Sequence, residues 1–163
     1  MLSDITEVKV GALIMDPNSS TPIIVLKGVD NDVILPIWVG NYEANAIALE
    51  IEKIAPQRPM THDLIKNIIN ELGLTVRKVI INNLKDNTFY AQIYLANEAG
   101  QITLLDARPS DAIALALRFD TSIYIANHIL ELTSASENIA KSTAKTESQD
   151  IQTASEEWPD IIQ

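Results

Sequence analysis

The sequence predicts a single α+β domain, with a mostly antiparallel or mixed β-sheet of about seven strands and three main helices. Apolar stretches of strand length, set apart by turn residues, occur in two separate runs. Three further segments carry apolar residues at helical spacing. The 163 residues, 47% of them hydrophobic, suffice for one real core and are too few for two comfortable ones.

"ITEVKVGALIMD", from Ile5, alternates and then turns continuously apolar, as a strand does when its far end is buried on both faces. "DPNSSTP" supplies turn residues, and "IIVLKGV" and "DVILPIWVG" read as two more strands with "DND" between them. "NYEANAIALEIEKI" then places Ala44, Ile47, Ala48, Ile51 and Ile54 at helical spacing, with Asn41 as the expected cap. Pro56 and Pro59 break the chain. Thr61 opens "THDLIKNIINELG", whose stripe of Leu64, Ile65, Ile68, Ile69 and Leu72 closes at Gly73. "LTVRKVIINNL", "TFYAQIYLA" and "QITLLDA" make the second run of strands, with turns at "KDN" and "NEAG". "PSDAIALALRF" is the third helix, and "SIYIANHIL" is expected to return as a last strand. Asn45-Ala46-Ile47-Ala48-Leu49 and Asp111-Ala112-Ile113-Ala114-Leu115 match in register. Small alanine faces let a helix lie close to a sheet, so packing need and an internal pseudo-repeat both account for the echo.

The formal charge is −10, of which −4 belongs to residues 133–163, where six acids face Lys141 and Lys145, and −6 to residues 1–132. That balance repels a polyphosphate at long range, so any nucleic-acid role has to rest on local basic groups or a metal ion. Beyond Leu132 the composition shifts to Ser, Thr, Ala, Glu and Lys, which sets the domain at 1–132 and an acidic, disordered tail at 133–163. The absence of cysteine excludes a disulfide framework and a thiolate metal site, and fits the cytoplasm. "MLSDITEVKV" lacks the basic and apolar regions of a leader, and no run approaches the roughly 20 apolar residues of a membrane span. The five glycines form neither GxGxxG nor a P-loop, and the two histidines have no zinc-site spacing. Arg77, Lys78 and Lys85, near Phe89 and Tyr90, read either as a basic strip with stacking rings or as a strand edge kept apart by charge.

Two stretches place Arg-Pro, a hydroxyl residue and an acid at the mouth of a helix: "QRPMTHDLIKNIINELG" and "LLDARPSDAIALALRFD". Taken in order, "LPIWVGNYEANAIALEIE", "RPMTHDLIKNII", "FYAQIYL" and "LLDARPSDAIALALR" resemble the bifunctional nuclease domain family, described as having both DNase and RNase activity. The resemblance covers about residues 8–131 and implies a single α+β domain, often oligomeric, with nuclease activity in some members. Its polar motif positions fall on Glu43, Arg58, Thr61, His62, Asp63, Asp106, Arg108, Ser110 and Asp111.

Hydrolysing a phosphodiester needs an activated water, neutralised phosphoryl oxygens and help for the leaving oxygen. Glu43, His62, Asp63, Asp106 and Asp111 are the candidate catalytic residues, with Glu43, Asp63 and Asp106 as ligands for Mg²⁺ or Mn²⁺ and His62 as a proton carrier. Arg58 and Arg108 are candidate phosphate binders. The same residues also suit structural work. Thr61 with Asp63, and Ser110 with Asp111, make good helix starts, and Asp106 has Arg108 as an obvious ion-pair partner. On that alternative the protein is a non-catalytic regulatory or assembly domain. A nuclease requires Glu43, Arg58, His62, Asp63, Asp106 and Arg108 to converge on one concave site that takes DNA or RNA. Three helices cannot cover both faces of seven apolar strands in so short a chain, so a homo-oligomer is expected, most simply a dimer.

Overall fold

The computed structural model describes residues 4–134; the rest of the expected tail lies outside the described residues. Strands β1 (Ile5–Met15), β2 (Pro22–Gly28) and β3 (Ile34–Trp38) form an antiparallel meander. Helices α1 (Asn41–Ile51) and α2 (Thr61–Glu71) follow. A second meander, β4 (Thr75–Lys85), β5 (Thr88–Ala96) and β6 (Ile102–Ala107), runs into α3 (Pro109–Phe119) and returns as β7 (Ser122–Ala126). All seven strands belong to one sheet, in the order β3-β2-β1-β7-β4-β5-β6. β7 pairs antiparallel with β1 and parallel with β4, so the sheet is mixed and the two meanders flank β7 in opposite senses. Each meander runs into a helix, α1 after β3 and α3 after β6.

The core lies between the sheet and α3, the most deeply buried helix. Ala112 to Ala116 are all buried along it, and the small side chains of Ala112, Ala114 and Ala116 let the helix lie close to a core that includes Val79, Ile81, Ile93, Ile123 and Ile125 of the central strands. On the strands' other face the Lys78 ammonium sits 4.8 Å from the centre of the Tyr94 ring and 5.8 Å from that of Tyr124. Those rings are cross-strand neighbours of Lys78 or of the residue beside it in the same face's pattern. β4 lies between β7 and β5, which corrects the edge-strand reading of "VRKV".

The helix starts differ from the expected caps. The N-cap residues are Gly40, Met60 and Arg108, none with a side-chain cap bond, so Asn41 and Thr61 are the first residues of their helices and Ser110 lies behind Pro109. Acids in the first turn replace the hydroxyls as the group that meets the positive helix end. The last strand also stops short, at Ala126, and the chain is helical from residue 127. Asn127 ends the pairing: its N–H donates to the Asp4 carbonyl (2.9 Å) and its side-chain oxygen accepts from Thr6 Oγ1 (2.7 Å). Among the described residues no helix is long and apolar enough to cross a membrane.

Helices α1, α2 and α3 close in the same way. After α2, Gly73 N–H bonds to Asn70 O and Leu74 N–H to Ile69 O, with Gly73 at φ +68°, the expected glycine position. Lys53 (φ 55°) and Asp120 (φ 51°) take the same left-handed place after α1 and α3. A lysine there carries a steric cost that glycine lacks. Lys53→Gly is therefore expected to stabilise the fold by about 0.5 kcal/mol despite glycine's greater unfolded-state entropy, read as a higher urea midpoint at unchanged slope. A lower midpoint contradicts it.

Candidate functional site

Helices α1, α2 and α3 each carry an acid at the third residue: Glu43, Asp63 and Asp111. Asp63 Oδ2 accepts the Met60 N–H at 3.0 Å, closing its own helix start. Glu43 folds back over Gly40, where an added side chain would meet its carboxylate and displace it. Asp111 instead reaches away from its helix to residues brought by the other two.

Arg108 links α1 to α3. Its Nε donates to Asp111 Oδ2 at 2.7 Å, and its Nη2 lies 2.9 Å from Glu43 Oε1. The other Asp111 oxygen, Oδ1, is 2.8 Å from His62 Nε2 of α2. Glu43, Arg108, Asp111 and His62 thus form one continuous polar chain across three helix starts. With Tyr42 and Arg118 they line a cleft of about 260 Å³. Burial pushes the Asp111 carboxyl up, but the hydrogen bonds and charges of Arg108 and His62 outweigh it and hold Asp111 below the usual carboxylate value. The same bond to Asp111, with help from Glu43, raises the already high value of the Arg108 guanidinium. His62 is only 8% exposed. Facing a carboxylate, its Nε2 is assigned the proton, which leaves Nδ1 as the acceptor nitrogen in the neutral ring.

Behind this chain lies a second pair. The Arg118 side chain, 4% exposed, donates from Nε to Asp63 Oδ1 (2.8 Å), from Nη1 to the Ala114 carbonyl (3.0 Å) and from Nη2 to the Ala46 carbonyl (3.1 Å). Lys66 Nζ of α2 donates to the Arg118 carbonyl at 2.8 Å. At Asp63, burial again acts upward and is outweighed by the Arg118 bond, the Met60 N–H and the nearby positive charge, so the carboxyl sits below its usual value. Arg118 was not among the expected site residues. Its signal is a lone charge ending the apolar run "AIALAL", seven residues after Asp111 and so on the same helical face.

The structure brings together Glu43, His62, Arg108 and Asp111, and sets Asp63 beside them, turned to Arg118. Arg58 and Asp106 do not join. Arg58 is exposed in the segment between α1 and α2, and Asp106 is exposed on the sheet-edge strand β6. The expected Asp106–Arg108 pair is corrected: Arg108 takes Glu43 and Asp111, and at a solvated edge Asp106 needs no counter-charge. Thr61 lines the cleft, while Ser110 is buried beside a neighbouring one. The expected ligand set of Glu43, Asp63 and Asp106 does not fit a metal ion. Among the described residues no three His, Asp or Glu groups are clustered to hold one, and two of the three acids are engaged by guanidinium groups.

The profile of the bifunctional nuclease domain matches residues 24–138 of this chain. An uncharacterized protein of Mycobacterium tuberculosis is 39% identical over 124 residues, 76% of this chain and 73% of that protein. A protein named bifunctional nuclease 1 from Oryza sativa subsp. japonica is 34% identical over 110 residues, covering 65% of this chain and 33% of its own length. The Arabidopsis thaliana protein of that name is 28% identical over 111 residues. The chain therefore spans about a third of these plant relatives.

The Asp63–Arg118 pair can be tested apart from any activity. Removing one partner strands the other charge, so Asp63→Asn is expected to cost about 3 kcal/mol in denaturant unfolding, the low end for a buried pair because Asp63 keeps 26% side-chain exposure. Both depressed carboxyls lose protons more easily folded than unfolded. Their contribution is present above pH 3.8, the ordinary Asp value, and fades as the pH falls below it through their folded-state values. Wild type should lose stability in that acid range more steeply than Asp63→Asn, and parallel curves contradict the pairing.

Proposed function

The chain belongs to the bifunctional nuclease domain family, and from that premise we propose that it hydrolyses phosphodiester bonds of DNA or RNA at the cleft formed by Glu43, His62, Arg108 and Asp111. One observation carries the reading. A guanidinium suited to phosphate and an imidazole suited to proton transfer share a single carboxylate, Asp111, through bonds of 2.7 and 2.8 Å.

In this scheme Arg108, whose side chain is 65% exposed, grips the phosphate with the donors that Glu43 and Asp111 leave free. The three helix starts add their positive ends around the anion. His62 Nδ1 takes a proton from the attacking water as its oxygen bonds to phosphorus. The phosphorus–oxygen bond to the leaving nucleotide then breaks, and the proton held by His62 passes through water to that oxygen, which returns the imidazole to its neutral form. Asp111 keeps the imidazole in the tautomer with a basic Nδ1 and offsets the charge that forms. No step here runs through a metal. We propose separately that Mg²⁺ or Mn²⁺ raises turnover by entering with the substrate phosphates, since the acids around the cleft are engaged by guanidinium groups.

A homodimer is proposed alongside. Met60, Leu64, Ile68 and Leu72 make an exposed apolar stripe along α2, and Ile102, Leu104 and Leu105 are about half exposed on edge strand β6. Sedimentation equilibrium should give twice the chain mass of 18.0 kDa, and a monomer at micromolar concentration contradicts this.

The decisive assay compares single-stranded DNA, duplex DNA and RNA in EDTA, Mg²⁺ and Mn²⁺. Arg108→Ala is expected to lower kcat/KM about 100-fold or more, and His62→Gln to lower kcat by about 10²-fold or more, with melting temperatures showing both folded. Asp106→Asn should keep wild-type turnover. Equal cutting in EDTA contradicts the metal proposal alone. If purified wild type cuts no substrate under any of these conditions, the nuclease reading fails and the regulatory or assembly reading replaces it.

A further inference from the structure

Next to the cleft of the polar chain lies a larger one of about 430 Å³, and Arg108 is on the wall of both. Its lining includes Trp38 at the end of β3, Asn87, Thr88 and Phe89 at the β4–β5 turn, and Ser110 at the start of α3. These groups come from distant parts of the chain, so the cleft is a product of the fold and not of a local turn.

Its chemistry differs from that of its neighbour. Trp38 is 55% exposed yet anchored, its indole N–H donated to Asp16 Oδ2 at 3.2 Å. Asp16 is held in turn by the Asn18 N–H and the Ser19 hydroxyl, and these bonds, the Asn18 one foremost, keep its carboxyl below the usual value. A large ring is thus fixed in place on solvent-facing surface, with Phe89 on the same cleft. Asn87 stands at φ 60° in the turn, an exposed amide with a donor and an acceptor side by side. Two aromatic side chains, one amide and a shared guanidinium match the parts of a nucleotide: a flat ring to cover, an edge to hydrogen-bond and a phosphate to grip.

We propose that this larger cleft is a nucleobase subsite, which holds one unstacked base of the strand whose phosphate rests on Arg108. The proposal deepens the nuclease reading and rests on it. It also sets the substrate class. A base stacked and paired in a duplex cannot enter the cleft, so the protein selects single-stranded nucleic acid.

The test is a binding titration with the full chain carrying Trp158→Phe, which leaves Trp38 as the one tryptophan of the two in the sequence. The probes are a single-stranded thymidine phosphorothioate oligonucleotide and an abasic strand of the same length and charge. The base-bearing strand is expected to quench Trp38 fluorescence and to bind roughly tenfold more tightly than the abasic one. Asn87→Gly keeps the positive φ of the turn and removes the amide. Phe89→Leu keeps an apolar side chain and removes the ring. Each should reduce binding of the base-bearing strand several-fold and leave the abasic strand unchanged, which a general loss of folding would not do. Equal affinity for both strands, without quenching, overturns the subsite while the nuclease reading stands. Failure to bind either strand overturns both.

Discussion

The arrangement of the site depends on one buried guanidinium. Arg118 spends its donors on three helices at once: Asp63 of α2, the Ala114 carbonyl of its own α3 and the Ala46 carbonyl of α1. A charge with 4% exposure is tolerable only when so fully satisfied, and none of these partners is replaceable by water without exposing the core. α2 needs this tie most. It buries only His62 and Ile69, and leaves Leu64, Ile68 and Leu72 exposed, so apolar packing alone fixes it poorly. Holding Asp63 therefore holds the next residue back, His62, at its place beside Asp111.

The same logic explains how a body of charge −6 presents a place for an anion. The N-terminal acids are not free negative charges. Asp63 is spent on Arg118, while Glu43 and Asp111 are bridged by Arg108. What faces a ligand is then the exposed remainder of Arg108 and the positive ends of the helices, with the acids as second-layer supports. Long-range repulsion still disfavours nonspecific capture of polyanions, so selectivity falls to the cleft itself.

Much of the architecture was legible because it rests on local pattern. Alternation in "ITEVKV", the stripe of α2 and Gly73 at its end specify strands and helices without tertiary information. The caps were misread for a physical reason. Thr61 and Ser110 are good cap residues by type, but Pro109 fits the first position of a helix and shifts the start of α3 back to Arg108. Pairings were less legible still. Arg108 has Asp106 two residues before it, yet Asp106 lies on the exposed edge strand β6 while the helix turn brings Asp111 under the guanidinium. Glu43, His62, Asp111 and Arg108 were each recognisable as polar residues at helix mouths, and two of those four, Glu43 and Asp111, are first-turn acids that helix-start electrostatics alone explains. Their meeting is a property of the sheet order, which places both meanders and their helices about β7. Arg118 was overlooked because a single arginine in an alanine-rich helix reads as a surface charge.

The central claim is that the Arg108–Asp111–His62 cleft receives nucleic-acid phosphate, and the chain offers a direct probe because it has only two histidines. His62 lies in the cleft, and His128 is exposed beyond β7, outside the residues lining it. The measurement is a histidine-selective ¹H–¹³C NMR titration with a single-stranded phosphorothioate oligonucleotide. The account predicts that the His62 ring signals shift saturably while those of His128 stay in place, and that Arg108→Ala removes the shift. A His62 signal that does not move at strand concentrations that saturate binding contradicts it.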